Sequence, residues 1–238
     1  MSTYVMSDLH GNYDSYIKML ELIQLSDDDT LYILGDILDR GPNPVTILLD
    51  LMERTNVRIL AGNHCAMALE CLPFLVQEIT EDRIKKAGSN ILLSLSDWHY
   101  NGGAATVKEL RKYDKETQQK IVEFISGLEM YAELSVGGKD YILVHSGLGN
   151  FAPDRPLWDY ELDELVWERP DYTKAYFDDI YVISGHTPTQ FIETNPRPGY
   201  IYQANNHIAI DCGCYAKNGR LGCLRLDDMK EFYVETVA

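Results

Sequence analysis

Nowhere in the 238 residues does an apolar run approach the roughly 18–20 residues that a membrane-spanning helix needs. Met1 to Asp8 has neither a basic start nor an apolar core, so no secretory leader is expected. Cationic residues are scarce: 21 Lys and Arg stand against 37 Asp and Glu, a formal charge of −16. A field of that sign repels phosphodiester backbones and anionic lipid, so neither nucleic acid nor a membrane is the expected partner. It leaves room for a small phosphorylated substrate held by a local cationic site. Cysteine is sparse and odd in number (Cys65, Cys71, Cys212, Cys214, Cys223), with no CxxC pair. That pattern fits free thiols in a reducing cytoplasm, not a disulfide framework or a zinc knuckle. Compositional bias is missing too: 45% hydrophobic and 24% charged residues exclude a disordered or collagen-like chain.

What is present is alternation. Tyr4–Met6, Leu31–Leu34 and Val57–Leu60 read as strands, and Asp14–Gln24 and Pro44–Arg54 as the helices between them. Strand–helix–strand at this spacing predicts parallel strands with right-handed crossovers. Helical periodicity returns from His64 to about Lys86, breaks at Asn101-Gly102-Gly103, and resumes over Thr106–Tyr113 and Lys115–Ser126, the last capped by Asp114. The final 110 or so residues turn strand-rich: Tyr141–Val144, Tyr181–Ile183, Tyr200–Tyr202, His207–Ile210, Leu221–Leu226 and Phe232–Thr236, with one helix near Asp163–Glu168. No repeat or linker divides the chain. The expectation is an α/β (α+β) sandwich of two mixed sheets flanked by helices, one domain over 1–238 with a mostly helical insert at about 65–135.

The chemistry lies in the turns at the strand ends. Five strands run into glycine-containing turns: Asp8-Leu9-His10-Gly11, Gly35-Asp36-Ile37-Leu38-Asp39-Arg40-Gly41, Gly62-Asn63-His64, His145-Ser146-Gly147 and Gly185-His186. Carboxyl ends of strands line the ligand crevice in open α/β sheets. Asp8, His10, Asp36, Asn63, His145 and His186 together offer imidazole and oxygen donors without thiolate, a set suited to Mn, Fe or Zn more than to Ca. Six donors exceed one site with an open position but suit two ions sharing a carboxylate. Two ions about 3.5–4 Å apart can clamp an in-line displacement, which is hydrolysis chemistry.

These blocks, in this order, resemble those of the calcineurin-like metallophosphoesterases, over about residues 3–226. Asp39-Arg40-Gly41 resembles the phosphoprotein-phosphatase branch. Trp167-Glu168-Arg169 and Asn101-Gly102-Gly103 resemble phage-lambda-type phosphatases, and Ile210-Asp211-Cys212-Gly213 the family's closing strands. The resemblance implies a four-layer α/β/β/α fold and two divalent ions, Mn first, with Fe or Zn also fitting. It puts Asp8, His10 and His186 on one ion and Asn63 and His145 on the other, with Asp36 bridging. It further implies a metal-bridging hydroxide as nucleophile, His64 as general acid with Asp39 orienting its imidazole, and Arg40, Arg169 and Asn63 on the phosphate. Cys65 departs from the family, which carries an acid after Gly-Asn-His. If that acid supports the metal site, its loss costs about 10–100-fold in affinity or activity, and Cys65→Glu would restore it.

The resemblance implies three candidate functions. A Ser/Thr protein phosphatase-type phosphomonoesterase is expected first, on Trp167-x-Arg169 and Asn101-Gly102-Gly103. A symmetrical dinucleoside polyphosphate (diadenosine tetraphosphate) hydrolase is the alternative, with Trp98, Tyr100, Tyr113 and Tyr131 of the insert as an adenine-stacking wall. A non-catalytic metal-dependent binding protein is the third. The partner is accordingly a phosphorylated protein or a small phosphorylated molecule.

Overall fold

The computed structural model describes residues 1–236. Period-two patterning decides its architecture. In β1 (Thr3–Met6), Tyr4 and Met6 face one core while Val5 faces another; in β2 (Thr30–Ile33), Leu31 and Ile33 take the first and Tyr32 the second. Strands buried on both faces must be covered on both faces. Helices cover one: α1 (Tyr13–Ile23), α2 (Pro44–Met52), α3 (Asn63–Leu75) and α6 (Lys115–Ser126) pack Met19, Leu48, Leu72 and Ile121 onto the outer side of the first sheet. The second face meets another sheet, where Val5, Tyr32 and Leu34 pack with Leu143, Ile183 and Ile208.

The remaining strands are β3 (Val57–Ile59), β4 (Tyr131–Val136), β5 (Lys139–Val144), β6 (Ile180–Ser184), β7 (Tyr202–Ala204), β8 (His207–Ala209), β9 (Arg220–Arg225) and β10 (Lys230–Glu235). The first sheet runs β10-β9-β1-β2-β3 and the second β4-β5-β6-β8-β7. Strands β1, β2 and β3 run parallel to one another, as do β5, β6 and β8, while β4, β7, β9 and β10 pair antiparallel. Both sheets are therefore mixed. Outside the second sheet, Leu165 of α7 (Leu162–Val166) packs with Ile142, Val144 and Val182. The expected helix–sheet–sheet–helix layering is the one observed.

Local signals set the helix starts. Asn12 accepts from Ser15 N at 3.1 Å, Pro44 opens α2 where a missing N–H costs nothing, and Asp114 caps α6 by accepting from Thr117 N at 2.8 Å. The helical insert differs from expectation in its interior and at its end. Its second helix, α4 (Glu81–Tyr100), runs through the segment read as ending near Lys86 and bends at Gly88, where φ is +67°. The insert's helices end with α6, because residues 131–136 form strand β4, whose exposed Glu133 and Ser135 alternate with inward Ala132. The strand expected at Tyr200–Tyr202 lies at Tyr202–Ala204 instead, and Asn205 and Asn206 take the two positive-φ positions of the tight turn from it into β8. No helix among the described residues is long and apolar enough to cross a membrane.

Candidate active site

The parallel strands β1, β2 and β3 of one sheet and β5 and β6 of the other end at the same edge of the sandwich. The turns beyond them are laced together by the main chain. His10 N donates to Asp36 O at 2.9 Å, Gly41 N to His10 O at 2.9 Å, and Gly185 N to His145 O at 2.8 Å. Side chains add to this: Asp8 Oδ2 accepts from His186 N at 3.0 Å and Asp36 Oδ1 from His64 N at 3.1 Å. Two glycines allow the carboxylates in. A Cβ on Gly62 would fall on the Asp36 carboxylate, and one on Gly185 on that of Asp8.

Asp8, His10, Asp36, Asp39, Arg40 and His186 all have φ between +41° and +70°. For residues with a Cβ this region costs on the order of 1–3 kcal/mol each, and it persists only where the surroundings enforce it. Six strained residues gathered at one strand edge mark a site built for function rather than for packing.

The six sequence-predicted ligands converge, buried except for half-buried His186. Asp36 stands at the centre, with Oδ1 at 3.5 Å from His145 Nε2 and Oδ2 at 3.7 Å from His10 Nε2. His10 Nε2 is 4.0 Å from Asp8 Oδ1. Asn63 Oδ1 lies 3.0 Å from both His145 Nε2 and His186 Nδ1. His186 thus groups with Asp36, Asn63 and His145, not with Asp8 and His10; only its main-chain N–H reaches Asp8. A second cluster holds Asp36, His10 and His64. Asp36 belongs to both.

The donor chemistry fits divalent ions. His10 Nδ1 donates to Leu38 O at 3.0 Å and His145 Nδ1 to Leu34 O at 2.6 Å. A carbonyl only accepts, so in the neutral imidazole the proton sits on Nδ1 and the Nε2 lone pair points into the site. His145 Nε2 then faces Asn63 Oδ1 lone pair to lone pair, an arrangement that a cation resolves. Electrostatics agree. Burial opposes ionisation of Asp36, but the imidazoles of His145, His64, His10 and His186 outweigh it and hold the carboxyl well below its usual range. Burial, then the Asp36 charge, push Asp8 well above its range, and burial with Asp8 does the same to Asp211. Burial, with His145 second, lowers His186 to about 3.

Beside this centre, His64 Nδ1 is 2.6 Å from Asp39 Oδ2, both residues fully buried. Arg40 donates to His10 Nε2 at 2.8 Å and to His64 Nε2 at 3.0 Å, and its guanidinium stacks 4.3 Å from the centre of the Tyr215 ring. Arg169 makes no ion pair among the described residues; it donates to Thr187 Oγ1 at 2.9 Å. A cleft of about 220 Å³ joins Asp8, His10, Asp36, Asn63 and His186 to Arg40, Arg169, Trp167, Phe191 and Tyr215.

Some expectations change here. Trp98 is not a wall of the cleft: it is 1% exposed, and its Nε1 donates to Asp39 Oδ2 at 2.7 Å. Tyr113 packs on the helix-side core and Tyr131 beneath α7. The aromatics at the cleft come instead from the loops after α7, β6 and β8. Thr106, which no sequence motif singles out, donates to Asp39 Oδ1 at 2.5 Å. Cys65 neither lines the cleft nor joins either donor group. It is wholly buried in the helix-side core, where burial pushes its thiol up to about 12. A carboxylate there would be desolvated beside Asp36 and Asp39. Cys65→Glu is therefore expected to destabilise by about 3 kcal/mol, a melting-temperature loss of roughly 6–12 °C by calorimetry, with no gain in metal affinity.

Buried carboxylate, imidazole and amide donors around a shared aspartate, with arginines at the rim, define a metal-dependent hydrolase of phosphate esters. The chain belongs to the calcineurin-like phosphoesterases, whose family model matches residues 1–200. It is 26% identical to the asymmetrical bis(5'-nucleosyl)-tetraphosphatase PrpE of Bacillus velezensis, over 93% of this chain and 88% of that protein. Against the symmetrical bis(5'-nucleosyl)-tetraphosphatase of Salmonella paratyphi B it is 34% identical over 35% of the chain and 30% of that protein. Among solved structures, one provisionally named a diadenosine tetraphosphatase shares the fold with a TM-score of 0.64 at 18% identity, covering 99% of this chain and 94% of its own. A serine/threonine phosphatase from Saccharomyces cerevisiae does so at 0.57 and 14%, covering 100% and 80%.

Proposed function

We propose that this phosphoester hydrolase acts on a dinucleoside polyphosphate through two divalent ions, manganese first. The observation that carries the reading is the aromatic rim of the cleft. Phe191, Tyr215 and Trp167 are 76%, 48% and 42% exposed, at the mouth of a pocket whose other lining residues include the candidate metal donors and both arginines. Exposed rings beside a phosphate site suit the faces of nucleobases. The names of the relatives point the same way. This reverses the order expected from sequence, where the phosphoprotein phosphatase stood first.

In this reading Asp8, His10 and Asp36 hold one ion, and Asp36, Asn63, His145 and His186 the other. The pair supplies Lewis-acid polarisation of the phosphoryl group and a nucleophile at neutral pH. The chain's own residues do the rest. Asn63 keeps its Oδ1 on the histidine side and leaves its amide N–H groups for a phosphate oxygen. Arg40 turns its planar fork from the two imidazoles to the phosphate, where Arg169 meets it. His64, oriented through Nδ1 by Asp39, offers its Nε2–H to the leaving oxygen, as a hydrogen bond to a departing nucleoside phosphate and as a proton to a leaving group that needs one. Residence in the cytoplasm fits five thiols that are all free and buried.

A second reading, hydrolysis of a phosphoserine-type monoester, is favoured by the His64–Asp39 pair. An alcohol oxygen needs a proton to leave at neutral pH, whereas a nucleoside phosphate departs as an anion. Turnover with Mn²⁺ on diadenosine tetraphosphate and on a phosphoserine peptide separates the two. The dinucleotide is expected to be the faster substrate, releasing two ADP or AMP plus ATP; faster peptide dephosphorylation would reinstate the phosphatase. Base stacking is worth about 1–3 kcal/mol per base, so Phe191→Ala is expected to raise KM for the dinucleotide roughly 5- to 150-fold. It should leave KM for p-nitrophenyl phosphate in place, as steady-state kinetics would establish.

A further inference from the structure

Asp39 is fully buried, and its carboxylate serves three donors. Oδ2 accepts from His64 Nδ1 at 2.6 Å and from Trp98 Nε1 at 2.7 Å, and Oδ1 from Thr106 Oγ1 at 2.5 Å. The Thr106 hydroxyl also accepts from Asp39 N at 3.1 Å. One hydroxyl thereby ties the Asp39 side chain to its own backbone, which stands at the unfavourable φ of +70°. With Oδ1 fixed by Thr106, Oδ2 is left to Trp98 and His64, and the carboxylate plane has a single orientation.

Both outside donors belong to the helical insert, Trp98 at the end of α4 and Thr106 in α5 (Ala104–Leu110). The turn between them is fitted to the same task. A Cβ on Gly103 would come within 2.6 Å of the Trp98 ring, and Gly102 O accepts from Arg40 N at 3.2 Å. The insert thus grips both residues after Leu38 in the chain, Asp39 by its carboxylate and Arg40 by its main chain. Core packing alone would not ask an indole N–H and a threonine hydroxyl to converge on one buried carboxylate.

We infer that Trp98 and Thr106 are positioning residues for protonation of the leaving group: they set the Asp39 carboxylate, and through it aim His64 Nε2 at the departing oxygen. The inference rests on His64 acting as general acid. It does not depend on which phosphoester is the natural substrate. It gives the insert a catalytic purpose beyond forming one side of the cleft.

The test is a leaving-group series on the full chain loaded with Mn²⁺. Phenyl phosphate needs a proton for its leaving oxygen, and 2,4-dinitrophenyl phosphate does not. Thr106→Val keeps the shape and removes both hydrogen bonds. It is expected to lower kcat on phenyl phosphate about 10- to 100-fold, with a loss on the dinitrophenyl ester many times smaller. Thr106→Ser, which returns the hydroxyl, is expected to recover most of the loss, and Trp98→Phe to repeat the pattern of Thr106→Val. Bound manganese should be the same in all three. Equal losses on both esters for the Thr106 and Trp98 variants, with His64→Asn still showing the leaving-group dependence, would overturn the inference and leave His64 as the acid. Equal losses for His64→Asn itself would overturn the acid assignment, and this inference with it.

Discussion

Asp36→Asn is expected to take phosphoester hydrolysis below about 10⁻³ of the wild-type rate and to release bound divalent metal, as kinetics and metal analysis of the purified variant would establish. The magnitude reflects how completely the carboxylate is used. Oδ1 accepts from His64 N and faces His145 Nε2, while Oδ2 faces His10 Nε2 at 3.7 Å and His64 Nε2 at 3.8 Å. No other side chain among the described residues belongs to both donor groups. An amide in its place withdraws the negative charge from among four imidazoles and turns an N–H₂ toward one of the two ion positions. Both positions weaken at once, so the loss exceeds that of any single-site ligand. The backbone strain at Asp36 is tolerable to asparagine, which enters the left-handed region readily, and the fold should survive.

His64→Asn is expected to reduce turnover about 10²–10⁴-fold while both ions stay bound. The side chain lies against the ion site with its Nδ1 committed to Asp39, and in this reading Asp8, His10 and Asp36 hold the ion on that side without it. The deficit should be steepest on alkyl esters. Wild-type turnover on an alkyl phosphoester would show that another group protonates the leaving oxygen. Retention of metal is what separates this variant from Asp36→Asn.

Much of this architecture is legible in the sequence because it depends on local rules. Tyr4–Met6 and Leu31–Leu34 alternate sides with period two, Asp114 caps its helix, and each site-bearing turn contains a glycine. Strand β4 is harder: its polar residues Glu133 and Ser135 look outward from an edge, and its inward partner Ala132 is a weak strand former. How the candidate donors group is not legible at all. That the His186 ring meets Asn63 while its main-chain N–H meets Asp8 shows only in the folded chain, 123 and 178 residues from those partners. Trp98 and Thr106 stand 59 and 67 residues from Asp39, so only the folded chain brings them to it. An indole read from sequence as a stacking surface proves to be a buried hydrogen-bond donor. The aromatics that do reach the cleft, Trp167, Phe191 and Tyr215, lie in loops whose direction the sequence leaves open.

The central claim is that one carboxylate, Asp36, joins two ions at the strand ends. Electron paramagnetic resonance of the manganese-loaded protein tests it most directly, because two Mn²⁺ ions sharing a bridge are spin-coupled and isolated ions are not. Two equivalents of manganese per chain giving a coupled spectrum is the predicted result. A single bound ion, or two that remain magnetically independent, would contradict it.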